Sequence, residues 1–206
     1  LSFDSISVVI GGVVEHVIPP TDILDIKISD EAAYGVLGLD FLAKYVVEHD
    51  VNNQVMRLSD NAAELLVGAD FAEVQLQPFY SKLYLMPINS GGVQLSGFID
   101  TGAGGTILNS IAIEQMDASS YKITGKSAQL QSGSSSETAS SQSATLFSVG
   151  IDGVEWANLS ILISDGMVGQ IGLKDKPGMI LGGDMLLDGR RFIIDYFNDT
   201  AYFEKS

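Results

Sequence analysis

The chain contains no cysteine, only two histidines and no long apolar run. Without cysteine there are no disulfides, no thiol catalysis and no thiolate metal site. The two histidines, His16 and His49, rule out a multi-histidine metal centre, and a Ser-His-Asp triad would have to use one of them. Because no apolar run reaches the ~18 residues of a membrane helix, no membrane span is predicted in this chain.

Basic residues are also scarce. Eleven lysines and arginines stand against 26 acidic residues, which gives a formal net charge of −15. Such a chain repels phosphate backbones, so nucleic-acid partners are not expected. A hydrophobic fraction of 46% with 18% charged residues is typical of a packed globular protein. The length of 206 residues allows one large or two small domains.

What the chain does contain is many short β-rich runs between glycine and serine turn signals, with few segments of helical period. This pattern predicts a mostly β protein with short helices. The β runs with the strongest signal are residues 5–10, 94–99 and 191–194, and the best helical segments are residues 39–45, 62–67, 110–116 and 184–187.

An internal repeat is the most informative large-scale feature. Residues 36–42 resemble residues 180–186, and each stretch is followed by a β run that ends in aspartate, Asp50 or Asp195. An asparagine turn and a last strand then follow in both copies. Upstream, residues 8–13 echo residues 149–154 with nearly the same spacing. The repeat predicts two related lobes with a pseudo-twofold relation.

The two copies are unequal, because only the second has a front section, at about residues 79–143. We therefore expect residues 1–58 to be the C-terminal half of a first lobe, residues 59–77 a connector and residues 78–206 a complete second lobe. A half-lobe of 58 residues would leave strand edges unpaired and would bury little core. It is therefore expected to need a front half from elsewhere.

The densest chemical signal lies in the second lobe, at residues 95–108. A β run there delivers Asp100 to a turn at Gly102, where glycine is expected to adopt dihedrals that other residues avoid. A short strand at residues 106–108 leaves the turn. Asn109 or Ser110 is then expected to cap a helix that runs to about Met116.

These residues resemble the active-site loop of the retropepsin-like aspartic peptidases of the pepsin superfamily, in the run Phe98-Ile99-Asp100-Thr101-Gly102-Ala103. About 80 residues later, Ile180-Leu181-Gly182 resembles the hydrophobic-hydrophobic-glycine element that packs behind that loop. The resemblance covers residues 78–206 as a full lobe and 1–58 as the rear of another. It implies acid-protease β-barrel lobes in the two-lobe, single-chain arrangement.

The resemblance also implies roles for individual residues. Asp100 is the catalytic carboxylate, and a β-hairpin flap at residues 128–144 covers the substrate. The other implied roles are active-site loop support by Thr101, Gly102 and Ala103, a flap tip at Gly133, Ser134 and Ser135, and packing behind the loop by Ile180, Leu181 and Gly182. Asp40 and Asp184, which follow the glycine of each repeat, are expected to be helix caps or dipole partners.

The implied reaction is hydrolysis of peptide bonds by a pair of aspartates that share one proton, one activating water and the other protonating the leaving amine. Neither a metal nor an organic cofactor is required. Only one Asp-Thr-Gly occurs in the chain, so the second aspartate must come from the missing front half-lobe or from a second chain in a homodimer. Peptides or proteins are the expected substrates.

A different class of function remains open, namely a catalytically silent peptide-binding or dimerisation module on the same fold. Relatives with this architecture are expected to be bacterial, so the resemblance implies the envelope, the periplasm or secretion as the location. The sequence does not predict a substrate preference, because the pocket residues of such enzymes come from both lobes.

Overall fold

The computed structural model describes residues 6–10, 13–17, 38–79, 83–131 and 138–205. These residues form mostly β structure with short helices, as the sequence predicts. The predicted flap tip, Gly133 to Ser135, lies outside the described residues, and so does the side chain of Asp40. In the described part of the chain, no helix is long and apolar enough to cross a membrane.

The first six strands, and those that follow, have the following bounds in chain order. They are β1 (Ile6–Ile10), β2 (Val13–Val17), β3 (Val46–Asp50), β4 (Val55–Ser59), β5 (Phe71–Gln75), β6 (Gln77–Phe79), β7 (Leu83–Ser90), β8 (Val93–Ile99), β9 (Ile107–Leu108), β10 (Tyr121–Gln131), β11 (Thr138–Ile151), β12 (Val154–Ile163), β13 (Gly178–Leu181), β14 (Arg191–Asp195) and β15 (Thr200–Glu204).

Short helices join these strands. Their bounds are α1 (Leu39–Leu42), α2 (Ala62–Leu65), α3 (Ser110–Gln115), α4 (Asp165–Gln170) and α5 (Gly183–Leu186). Asn109 is the N-cap of α3, as predicted, and its side-chain oxygen accepts a hydrogen bond from the Ala112 amide at 3.0 Å. Helix α5 begins one residue earlier than predicted, which is the usual uncertainty of a helix end.

The largest sheet has eight strands in the order β10-β11-β12-β9-β13-β8-β7-β6. Strand β13 lies between β8 and β9, parallel to β8 and antiparallel to β9. Strands β8 and β9 are the ones that enter and leave the loop of Asp100. The sheet therefore holds this loop from both sides of a third strand that comes some 80 residues later in the chain.

A second sheet has five strands in the order β4-β3-β14-β15-β5. It joins the early part of the chain to the late part, because β3 pairs with β14 from Val46↔Asp195 to Asp50↔Arg191. Strands β1 and β2 form a separate antiparallel pair.

One large hydrophobic cluster packs between the sheets and includes Trp156, which is 6% exposed and was expected in the core. A smaller cluster contains Leu85, Ile107 and Ile180. Along β8 and β13 successive side chains point to opposite faces, so Ile180 belongs to the smaller cluster and Leu181 to the larger one. The strands around Asp100 are thus fixed by packing on both faces.

The turns that close the hairpins follow the sequence signals. Asp152 and Gly153 have φ of 43° and 86°, and Gly91 and Gly92 have φ of 55° and 78°. Two successive residues with positive φ are what a tight two-residue hairpin turn requires.

Candidate functional site

The backbone of Asp100 is held at the end of the parallel strands β8 and β13, where Ile99 pairs with Leu181. The Asp100 amide donates to the Leu181 carbonyl at 3.1 Å, and the Ala103 amide donates back to the Asp100 carbonyl at 3.1 Å. The turn is therefore tied to β13 at its start and closed on itself at its end.

The carboxylate of Asp100 is half-buried. Its Oδ1 accepts a hydrogen bond from the Gly102 amide at 2.9 Å. In the described part of the chain, nothing donates to the other oxygen, Oδ2. One oxygen is thus positioned by the loop while the other is left for a partner from outside.

The reason expected for glycine at position 102 is wrong. Gly102 does not adopt a positive φ, unlike six other glycines of the described residues. A Cβ at this position would lie 3.2 Å from Oδ1 of Asp100. Closeness to the carboxylate, and not an unusual backbone conformation, is what favours glycine here.

Gly182 packs directly behind the loop. A Cβ on Gly182 would lie 2.4 Å from the Gly105 carbonyl carbon and 2.9 Å from the Thr106 nitrogen, so only glycine permits this approach. The neighbouring Gly183 amide donates to the Ala103 carbonyl at 2.7 Å. Ile180 and Leu181, at 4% and 0% exposure, complete the support from below. The packing role of these three residues stays a prediction, although the contacts fit it.

A hydrogen-bond pair that the sequence did not indicate closes the far side of the loop. Thr106 is fully buried, and its hydroxyl donates to Oδ1 of Asp184 at 2.7 Å while accepting from the Gly182 amide at 3.1 Å. The Thr106 amide donates to Oδ2 of Asp184 at 3.1 Å. Thr106 and Asp184 are 78 residues apart, so no local pattern could have paired them.

The capping role expected for Asp184 is therefore wrong. Helix α5 has Gly182 as its N-cap, without a side-chain cap bond. The Asp184 carboxylate turns instead to the backbone and hydroxyl of Thr106, where it accepts two hydrogen bonds.

An open cavity of about 210 Å³ lies on one side of Asp100 and Thr101. Leu39, Leu42 and His49 from the early part of the chain line it together with the aspartate loop. Further lining comes from the aromatic and aliphatic side chains Leu76, Leu83, Tyr84, Phe98, Ile99, Ile194 and Tyr196. The cavity is mainly apolar, and Thr101 at its mouth is exposed.

Titratable side chains in this cavity are kept neutral by burial. Burial raises the pKa of Tyr196 to about 12. Burial also lowers the pKa of His49 from its usual value, against a smaller opposing effect of the Glu48 charge. The His49 ring stacks on Phe192 with centroids 4.4 Å apart. His49 therefore acts here as a packed aromatic ring and not as a metal ligand.

On the other side of the loop, half-buried apolar side chains form a floor against the smaller core cluster. They include Phe98, Ala103 and Leu162, together with Leu130 of β10 and Met167 and Ile171 around α4. This surface offers apolar contacts beside Asp100 of the kind that a bound peptide side chain needs.

The predicted flap falls on the hairpin of β10 and β11. These strands pair from Tyr121↔Leu146 up to Gln131↔Thr138, beyond which the hairpin lies outside the described residues. Leu130, near that end, packs against the smaller core cluster. The flap itself stays a prediction. Among the described side chains, no group of three or more histidines and carboxylates is placed to hold a metal ion.

No protein-family model matches the chain, and a search of curated proteins finds no match. Among solved structures, the chain is similar to a retropepsin-like aspartic protease from Rickettsia conorii. The two share 20% identity with a TM-score of 0.42, over 67% of this chain and 94% of that one. At this TM-score the likeness carries no inference about function, which has to come from the surroundings of Asp100.

Proposed function

We propose that the protein is an aspartic-type endopeptidase and that Asp100 is one half of its catalytic pair. The observation that carries the proposal is the Asp100 carboxylate, with one oxygen bound by the Gly102 amide and the other left without a donor among the described residues. The loop around it is held by β8, β9 and β13. A rigid carboxylate of this kind is suited to hold water or to share a proton.

A single carboxylate does not complete the reaction, because hydrolysis needs a base for the water and an acid for the leaving amine. When two carboxylates lie about 3 Å apart, they cannot both ionise and so share one proton. One then takes a proton from water while the other donates a proton to the departing nitrogen. Asp100 supplies one carboxylate, and a second must approach Oδ2 from the open side.

The source we propose for the second aspartate is a front half-lobe that packs on residues 1–58, followed by the connector 59–77 and the complete lobe 78–206. Support comes from the cavity, where Leu39 and Leu42 face Asp100 and Thr101 across about 210 Å³ of open space. In the repeat, Leu39 corresponds to Gly183, which lies directly against the aspartate loop of its own lobe.

Matching hydrogen bonds support the relation between the two copies. Asn53 donates its side-chain nitrogen to Asp50, and Asn198 does the same to Asp195, 145 residues later. The hairpin register matches as well, since Ile10 pairs with Val13 and Ile151 with Val154.

A homodimer of second lobes is less favoured as the source. A partner lobe related by a twofold axis would have to approach the free side of β14, but β3 of the same chain already pairs along that edge. The second aspartate is therefore assigned to a segment that completes the first lobe.

The test is cleavage of a mixed peptide library by the native-length protein isolated from its source, at several values from about pH 3 to pH 8, the range in which carboxylate pairs change protonation. Asp100→Asn keeps the shape of the side chain but removes the acid, so we expect cleavage to fall by at least about a thousandfold.

A matched control is Asp117→Asn, which changes a carboxylate bound only within its own turn, to Ser119. This variant should cleave as fast as the wild type. If the wild-type protein cleaves nothing, or if Asp100→Asn cleaves at the wild-type rate, the peptidase proposal is wrong and the silent peptide-binding module takes its place.

A further inference from the structure

The two ends of the five-stranded sheet differ in how well they are covered. Strand β15 is paired on its outer side with β5, from Thr200↔Gln75 to Glu204↔Phe71. Strand β4 is at the other end, and no described strand pairs with its outer side. Ala201 and Phe203 of β15 are 0% and 3% exposed, whereas Val55 and Met56 of β4 are 40% and 43% exposed.

Beside β4 lies an open hollow of about 370 Å³, lined in part by His49, Met56 and Leu187. Leu187 is 46% exposed. Three large apolar side chains, Val55, Met56 and Leu187, are therefore exposed around one hollow next to an unpaired strand edge. We call this hollow with the outer edge of β4 the uncovered surface. Such a combination marks a surface that another chain segment covers.

The strand register indicates what shape the missing cover has. The pairing of β3 with β14 is symmetric, because Val46↔Asp195 and Asp50↔Arg191 are equivalent about the central pair Glu48↔Ile193. The next strands obey the same twofold relation, with β4 on β3 and β15 on β14. A rotation that carries β15 onto β4 carries β5 onto the empty outer edge of β4.

We propose that the uncovered surface binds an extended, antiparallel strand of a partner half-lobe built like residues 71–143 of this chain. Its strand occupies the place that β5 has on β15. In β5, Ala72 and Val74 are 1% and 4% exposed and face the core, while Glu73 and Gln75 face solvent. The partner strand accordingly carries small apolar residues at alternate positions, which pack over Met56 into the hollow.

The inference rests on the proposed function only in that the same half-lobe would bring the second aspartate; the docking itself depends on the sheet alone. A second copy of this chain is a poorer occupant. Two copies joined along β4 would extend the sheet, but they would leave the hollow beside Leu187 and His49 open.

Methionine oxidation measures the covering directly. Met56 should react readily with peroxide in the 206-residue chain produced alone, since it is 43% exposed. In the native-length protein isolated from its source we expect its oxidation to slow by about tenfold or more, because covered sites react only through rare opening. Met179, at 0% exposure, should stay protected in both samples and serves as an internal reference.

Two variants separate docking from catalysis. Met56→Lys should leave the unfolding midpoint of the 206-residue chain unchanged but abolish both partner binding and peptide cleavage. Val67→Lys, at a side chain 67% exposed in the connector, should affect neither. Asp100→Asn should abolish cleavage while Met56 stays protected, so a failed peptidase proposal would still leave the docking result readable.

Three results would overturn the proposal. One is equal oxidation of Met56 in the two samples. Another is a native-length protein in which Met56→Lys keeps its partner and its cleavage. A third is a concentration-dependent dimer of the 206-residue chain with Met56 protected, which would assign the surface to a second copy.

Discussion

Replacing Thr106 by valine tests whether the buried hydroxyl holds the aspartate loop. Valine has nearly the same shape, but it removes the donor to Asp184 and the acceptor of the Gly182 amide. A buried amide without a partner costs about 2 kcal/mol. Because Asp184 is exposed and regains water, losing its bond adds only about 1 kcal/mol. The free energy of unfolding should fall by about 3 kcal/mol, and the melting temperature by about 6–12 °C.

The control is Thr106→Ser, which keeps the hydroxyl and loses one buried methyl group, at a cost of about 1 kcal/mol. Urea unfolding followed by circular dichroism gives both free energies. Hydrogen exchange at the Gly182 amide adds a local measurement, and this amide should exchange faster in the valine variant only. If the valine variant is as stable as the serine variant, the hydroxyl does not hold the loop.

Two other predictions concern residues around the same loop. Gly182→Ala would place a Cβ 2.4 Å from the Gly105 carbonyl carbon, so it should destabilise the chain by about 3 kcal/mol in thermal unfolding, whereas Gly104→Ala, which meets nothing within 4 Å, should be close to neutral. Burial lowers the pKa of His49 in the folded chain, so the unfolded chain binds the proton first and stability should decline as the pH falls below about 6.5. His49→Gln should flatten this slope relative to the wild type, and an unchanged slope would contradict the burial argument.

Much of the local structure could be predicted because it depends on neighbouring residues. Alternation of apolar and polar side chains located β8 and β14, and the capping signal at Asn109 located α3. The turn at Asp152-Gly153 followed from residues that tolerate positive φ. In each case a few consecutive positions carry the information.

The contacts that the sequence did not predict join residues far apart in the chain. The bond of Asp184 to Thr106 depends on β13 lying between β8 and β9, and no local pattern encodes that topology. Helix capping was a reasonable expectation for Asp184 from its neighbours alone. The tertiary arrangement overrides it, because the carboxylate meets a buried hydroxyl before it meets its own helix.

The position of β13 between β8 and β9 has a consequence for the order of folding. Strand β13 has to insert between two strands that precede it by some 70 to 80 residues, and all of β10, β11 and β12 lie in the intervening chain. Long-range closures of this kind are slow, because much chain entropy is lost before the strand pairs. Asp100 reaches its final position only when this insertion is complete. A newly made chain would therefore have no formed aspartate site until its last strands are in place, and its own unfolded segments would be spared during synthesis.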